Sequence, residues 1–85
     1  EEMYRRAIDA DPTDARALRN YADFLQNVLQ DYSRAEEMYR RAIDADPTDA
    51  RALRNYADFL WTVRNDHDRA EEMYRRAIDA EILRG

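Results

Sequence analysis

His67 stands between Asp66 and Asp68, the one point in this 85-residue chain where a histidine adjoins carboxylates. Three neighbouring side chains with no second His or any Cys make a poor ligand set, because a metal needs donors converging from several directions. A helix-capping turn explains them better. A second pattern is chemically richer. Arg16, Asn20, Asp23 and Asn27, flanked by Arg19 and Gln26, fall three and four residues apart, and Arg51, Asn55, Asp58 and Thr62, flanked by Arg54 and Trp61, repeat the arrangement. Guanidinium, amide and carboxylate groups at that spacing share one face of a helix and make a candidate binding surface. The alternative is a solvated face of mixed charge. Trp61 is the residue that most distinguishes the second set, and Trp is enriched among side chains that anchor partners. It could equally cover the last turn of a neighbouring helix. Nothing resembles a nucleophile beside a base or a convergent carboxylate pair, so no enzyme activity and no cofactor are expected.

The elements that position these faces are dictated by a repeat. Residues 1–10 recur at 36–45 and at 71–80, and residues 1–25 are identical to residues 36–60. Every local structural decision in the first copy is therefore repeated in the second, which points to stacked equivalent units. The chain reads as a single domain made of a half repeat at 1–10, repeats at 11–45 and 46–80, and an extension at 81–85. With one Gly, two Pro and no Cys it should be nearly all helix, without disulfides or thiol chemistry. The formal charge of −5, with Arg interleaved among Asp and Glu, argues against nucleic acid and anionic lipid. No apolar run approaches the ~18 residues of a membrane span. A cytoplasmic location is only the default expectation.

Asp11-Pro12-Thr13-Asp14 and Asp46-Pro47-Thr48-Asp49 are breakers, since the residue before Pro avoids the helical region while Thr and Asp favour N-caps. Between breakers, Leu18, Tyr21, Ala22, Leu25 and Val28, with Phe24, form an apolar stripe. Leu53, Tyr56, Ala57, Leu60 and Val63, with Phe59, repeat it. This predicts a helix A over about 14–29 and 49–64. Ser33 with Glu36, and Asp68 with Glu71, have the form of a capping box, with Asp31 and Asp66 as rival caps. The following helix B turns Ala35, Met38, Tyr39, Ala42 and Ile43 to one face. Its other face carries the i,i+4 pairs Glu36–Arg40 and Glu37–Arg41. Ala35, Ala42, Ala57, Ala70 and Ala77 mark where neighbouring helices approach closely.

This pattern resembles the tetratricopeptide repeat, a helix-turn-helix unit of about 34 residues. Ala35, Tyr39, Ala42 and Pro47 meet its second-helix signature, Ala70, Tyr74 and Ala77 meet all but the Pro, and Leu53, Tyr56, Ala57 and Leu60 meet the first. Ala22 and Ala57 stand at the family's Gly-like position. The unit is one residue longer, with the addition between Leu25 and Ala35, where it could alter the angle between the helices. The resemblance implies an all-α, right-handed solenoid of antiparallel helix pairs, about two and a half repeats in the order B-A-B-A-B. It also implies a concave face lined by helix A that binds a peptide or partner protein. One subfamily clamps a peptide carboxylate there, but Asp23 and Asp58 stand where that clamp would place Asn, and would repel the anion.

The alternative function is self-association through the end helices. The first helix B lacks an A partner, so Met3, Tyr4 and Ile8 are expected to be exposed at one end. Ile82 and Leu83 are expected to form a cap or an interface at the other, where helix B should run on and stop near Gly85. The start at Glu rather than Met suggests a piece of a longer array. Copies this alike suggest recent amplification or a designed array, although the differing stretches at 26–33 and 61–68 speak for natural drift.

Overall fold

A computed structural model describes residues 1–84 as five α-helices and no strand. They are α1 (Glu2–Ala10), α2 (Ala15–Phe24), α3 (Tyr32–Ala45), α4 (Ala50–Thr62) and α5 (His67–Arg84), and a π-helical turn, Leu25–Leu29, continues α2. Helices α2 and α4 are the two A helices, and α1, α3 and α5 are the B helices. The slab measures 33 × 29 × 15 Å between Cα atoms, its thin dimension being two layers of helices about 10 Å apart. The expected stop near Gly85 lies outside the described residues, while the expected continuation of helix B past Ala80 is present as far as Arg84.

The breaker sequences act as their chemistry requires. Asp11 Oδ1 accepts from the Thr13 amide at 3.0 Å and its hydroxyl at 2.8 Å, closing the turn on either side of Pro12. Asp14 then caps α2 by accepting from the amides of Arg16 and Ala17, and Asp49 caps α4 identically through Arg51 and Ala52. At α3 the rival cap wins. Asp31 Oδ1 accepts from the Arg34 amide at 3.3 Å and Asp66 Oδ1 from the Arg69 amide at 3.2 Å, so Ser33 and Asp68 sit inside the first turn and the expected capping box is not formed. Glu36 is drawn elsewhere, to Tyr56.

The additional residue of each unit has a visible home. A π turn holds one residue more than an α turn. Helix A closes through such a turn in the first copy, where the amides of Gln30 and Asp31 both reach the Leu25 carbonyl. In the second, α4 stays α-helical to Thr62, with the Val63 amide on the Phe59 carbonyl at 2.8 Å, and only the closing bonds widen, from Arg64 to Phe59 at 3.4 Å and from Asp66 to Leu60 at 2.9 Å. The widened turn rotates the next residues off the 3.6-residue period. Val28, expected in the apolar stripe, is consequently 63% exposed, whereas Leu25 before it is fully buried. Gln30 (φ 53°) and Asn65 (φ 54°) then reverse the chain in the left-handed region. Gln carries a Cβ penalty there that Gly escapes, so Gln30→Gly is expected to raise stability by about 0.5–1 kcal/mol in urea unfolding. Asn tolerates the region better, and Asn65→Gly should gain less.

The core runs continuously through the array. Leu18, Tyr21, Ala22 and Leu25 from α2 meet Ala35, Tyr39 and Ala42 from α3, and Leu53, Tyr56, Phe59 and Leu60 of α4 meet Ala70, Met73 and Ala77 of α5. The five alanines read as points of close approach are at most 2% exposed. Of the two i,i+4 pairs, Glu36–Arg40 closes at 3.3 Å, while the Arg41 guanidinium lies 3.8 Å from Met38 Sδ instead of on Glu37.

Candidate functional site

The A helices place their polar residues on one shared face, but several of these side chains are already occupied. Arg19 Nη1 pairs with Asp49 Oδ2 at 2.8 Å, both side chains being largely buried. Asp49 thus caps α4 with one oxygen and fastens α2 with the other. Arg54, the same residue one unit later, pairs with Glu81 at a half-exposed site. Neither Arg takes the Asp four residues on, as helix geometry alone would allow. Asp23 receives the Tyr39 hydroxyl at 2.6 Å and Asn55 Nδ2 at 3.2 Å, joining α2 to α3 and to α4. Asp58 receives the Tyr74 hydroxyl in the equivalent contact.

Burial raises the pKa of Asp23, against the opposing hydrogen bond from Tyr39 and the charge of Arg19. Tyr39 is raised by burial and then by Asp23, and Tyr74 is pushed up to about 12 by its bond to Asp58 and by burial. Both hydroxyls therefore stay protonated as donors at neutral pH.

Between α2 and α4 these groups line a cleft of about 250 Å³, formed by Asp23, Gln26, Asn27, Tyr39, Asn55 and Asp58. Its walls are amides, a phenol and two carboxylates. It suits hydrogen-bond donors and disfavours a carboxylate. Asn27, Arg16 and Arg51 are exposed, and their side chains make no hydrogen bond or ion pair among the described residues. Asn20 faces α1, in a recess with Met3 and Tyr4, instead of facing α4. The hydroxyl of Thr62 turns back to the Asp58 carbonyl at 2.8 Å. Trp61 is 43% exposed and stacks on His67 at 4.0 Å between ring centroids, covering the first turn of α5 and not its last.

The end-helix residues divide. Met3 is exposed, as are Ile82 and Leu83 at the other end. Ile8 is not: it is 7% exposed, and Tyr4 is half-buried, stacked on Tyr21 and packed against Phe24. The correction has a simple cause, since α2 covers α1 just as α4 covers α3. Ile78, on which the sequence reading places no role, is 56% exposed.

A second set of polar contacts escapes the sequence reading. On the B side, Glu36 accepts from the Tyr56 hydroxyl at 2.8 Å, Arg64 Nε at 3.1 Å and Arg40 at 3.3 Å. Glu1 does the same with Tyr21 at 3.0 Å, Arg5 at 3.0 Å and Arg34 at 3.2 Å. The signal is present as one offset: Glu1, Tyr21 and Arg34 become Glu36, Tyr56 and Arg69 on adding a unit. Beside these hubs lie clefts of about 380 and 210 Å³, walled by Arg5, Arg34 and Arg41 and by Arg40, Arg69 and Arg76.

Burial works to raise the Glu36 pKa, but the hydrogen bonds from Tyr56 and Arg64 and the charges of Arg40 and Arg64 outweigh it, holding the carboxyl below its usual 4.5. A depressed acid stabilises the fold above its unfolded value, and that contribution disappears as pH falls through the folded one. Asp23, raised, acts in the opposite sense. Glu36→Gln should therefore flatten the loss of urea-unfolding stability between about pH 5 and about pH 3, relative to the unsubstituted chain. An undiminished loss would show that the hub carries no acid sensitivity.

Among the described residues, no three His, Cys, Asp or Glu side chains converge to hold a metal, and no helix is long and apolar enough to cross a membrane. The family model described as "TmcB, TPR repeats" matches residues 1–46 and, in a second placement, residues 32–84. The chain belongs to the tetratricopeptide-repeat family. No curated protein matches it. TPR repeats generally mediate protein–protein interaction, and the family is typically a non-enzymatic scaffold. In the TPR framework the alanines at 35, 42, 70 and 77 on the B helices and at 57 on helix A stand where neighbouring helices pack, and all five are buried.

Proposed function

We propose that this TPR chain is an interaction scaffold that receives an extended peptide segment of a partner protein along the face shared by α2 and α4. Its working units are residues 11–45 and 46–80, with 1–10 as a half unit and 81–85 as an extension. The observation that carries the reading is the cleft between the A helices. It joins amide and phenol groups from both units, Asn27 stands in its wall with a side chain that the fold does not use, and Arg16 and Arg51 line a second recess with Arg19 and Asp49 at the starts of the same two helices. Asp23 and Asp58 set its preference, so amide or basic peptide side chains fit and a terminal carboxylate does not. Arg19, Asn55 and Arg54 act as supports for the face, held by Asp49, Asp23 and Glu81.

The test is selection of peptides from a random library on the 85-residue chain, followed by affinity measurement with two double variants. Asn27→Ala with Trp61→Ala removes exposed groups of the A face and should weaken binding at least about tenfold. Arg41→Ala with Arg76→Ala alters the B-side clefts and should leave affinity within about twofold. The reverse pattern would move the binding face to the B side and refute the reading.

A further inference from the structure

Helix α1 holds α2 by a set of contacts that recurs, residue for residue, where α3 holds α4. Tyr4 stacks on Tyr21 at 5.6 Å and 24°, and Tyr39 stacks on Tyr56 at 5.8 Å and 26°. Tyr4 meets Phe24 at 5.5 Å, and Tyr39 meets Phe59 at 5.7 Å. Ile8 and Ile43 are 7% and 8% exposed, and Glu1 and Glu36 each accept a tyrosine hydroxyl. The ten residues responsible, 1–10 and 36–45, are identical, and they occur a third time at 71–80 in α5. There Glu71 is exposed, Ile78 is 56% exposed, and Ile82 extends the stripe of Tyr74 and Ile78 by one more helical step at 70% exposed.

We propose that α5 of one copy docks on α2 of a second copy in the place of that copy's α1. The interface needs no new chemistry. Glu71 would accept from the partner's Tyr21 and the partner's Arg34, while Tyr74 and Ile78 would pack where the partner's Tyr4 and the partner's Ile8 now lie. Two features favour the incoming helix over the resident one. Helix α5 is already ordered along α4, whereas α1 is nine residues long and such a helix is marginal by itself. Ile82 adds apolar surface at a position that Pro12 occupies after α1. One feature opposes it: α1 is tethered by a four-residue turn, which gives it an effective concentration of order millimolar. Association of the unsubstituted chain is therefore weak and open-ended, and it strengthens when α1 is loosened. The surface involved is separate from the cleft between α2 and α4, so this inference stands or falls independently of peptide binding.

Two measurements on the full chain test it. In the first, Ile8→Ala with Ile78→Asp makes an acceptor that cannot donate, and it is mixed with the unsubstituted chain and followed by light scattering behind a sizing column. A species of two chains is expected, forming at a concentration at least about tenfold below that at which the unsubstituted chain associates alone. Mixing the same acceptor with Ile78→Asp should give monomer only. A complex that survives Ile78→Asp, or no complex with the unsubstituted chain, overturns the proposal. The second measurement leaves α1 intact, so it does not depend on how the acceptor folds. Asp79→Cys, in a chain without native cysteine, carries a nitroxide and is mixed at about 1 mM with an ¹⁵N-labelled copy. Broadening of α2 amides in the labelled copy is expected, and broadening elsewhere or none at all overturns the proposal.

Discussion

Phe59→Ala is expected to cost about 3–5 kcal/mol of unfolding free energy, enough to leave much of the chain unfolded at 25 °C, since 85 residues carry only about 4–13 kcal/mol in total. Phe59 is fully buried and lies against the rings of Tyr32, Tyr39 and Tyr56, with the Arg64 guanidinium over its other side at 5.3 Å. It is therefore the point at which α3, α4 and the turn into α5 are joined. No neighbour can collapse into the space of a ring enclosed from several helices, so the cavity term adds to the lost transfer energy. Phe24, the same residue one unit earlier, has Tyr4 as its ring neighbour and is half-buried. Phe24→Ala should cost about half as much. Urea unfolding of both variants checks the pair, and equal losses would contradict the difference in enclosure.

Arg19→Ala should destabilise by about 2–3 kcal/mol while Arg54→Ala changes stability by less than about 0.5 kcal/mol, although the two residues occupy the same place in identical sequence. Arg19 and Asp49 are 11% and 14% exposed, so removing the guanidinium leaves a nearly dehydrated carboxylate at the start of α4. Arg54 and Glu81 are 51% and 50% exposed, where water screens the pair and replaces it easily. Because Asp49 also caps α4, the Arg19 variant should lose hydrogen-exchange protection first in the amides of Arg51 and Ala52. Equal effects at the two sites would mean that burial does not set the worth of these pairs.

How much of this is legible in the sequence depends on the range over which each contact is determined. Local chemistry is readable: the Asp-Pro-Thr-Asp breakers, the Asp14 and Asp49 caps, and the alanines at close approach all derive from residues within one or two turns. The expectations that fail share a different origin. A 3.6-residue period puts Val28 in the core only if it is carried through the turn at 25–29, which is π-helical. The spacing of Ser33 to Glu36 fits a cap, but Glu36 is held by Tyr56, twenty residues away. Ile8 looks exposed because α1 has no preceding helix, yet the helix that covers it is the following one, as the burial of Ile43 repeats.

The candidate face suffers the same limitation more severely. A helical period shows that Arg19, Asp23 and Asn55 lie near the polar side, but not that Asp49 takes the first or that Asn55 bonds to Asp23. Those partners lie some thirty residues apart, nearly one unit, and their meeting depends on how successive helices stack. The unit offset itself is plain in the chain. Adding 35 to Glu1 and Tyr21 gives Glu36 and Tyr56, so the two B-side hubs are one pattern written twice.

The most direct test of the account is to titrate a library-selected peptide into ¹⁵N-labelled chain and follow the side-chain amides of Asn27, Gln26 and Asn55 together with the Trp61 indole. The account predicts that these signals shift together and saturate at one peptide per chain, while amides near Arg41 and Arg76 stay in place. Saturating shifts confined to α3 and α5, with the Asn27 and Asn55 side chains unmoved, would contradict it.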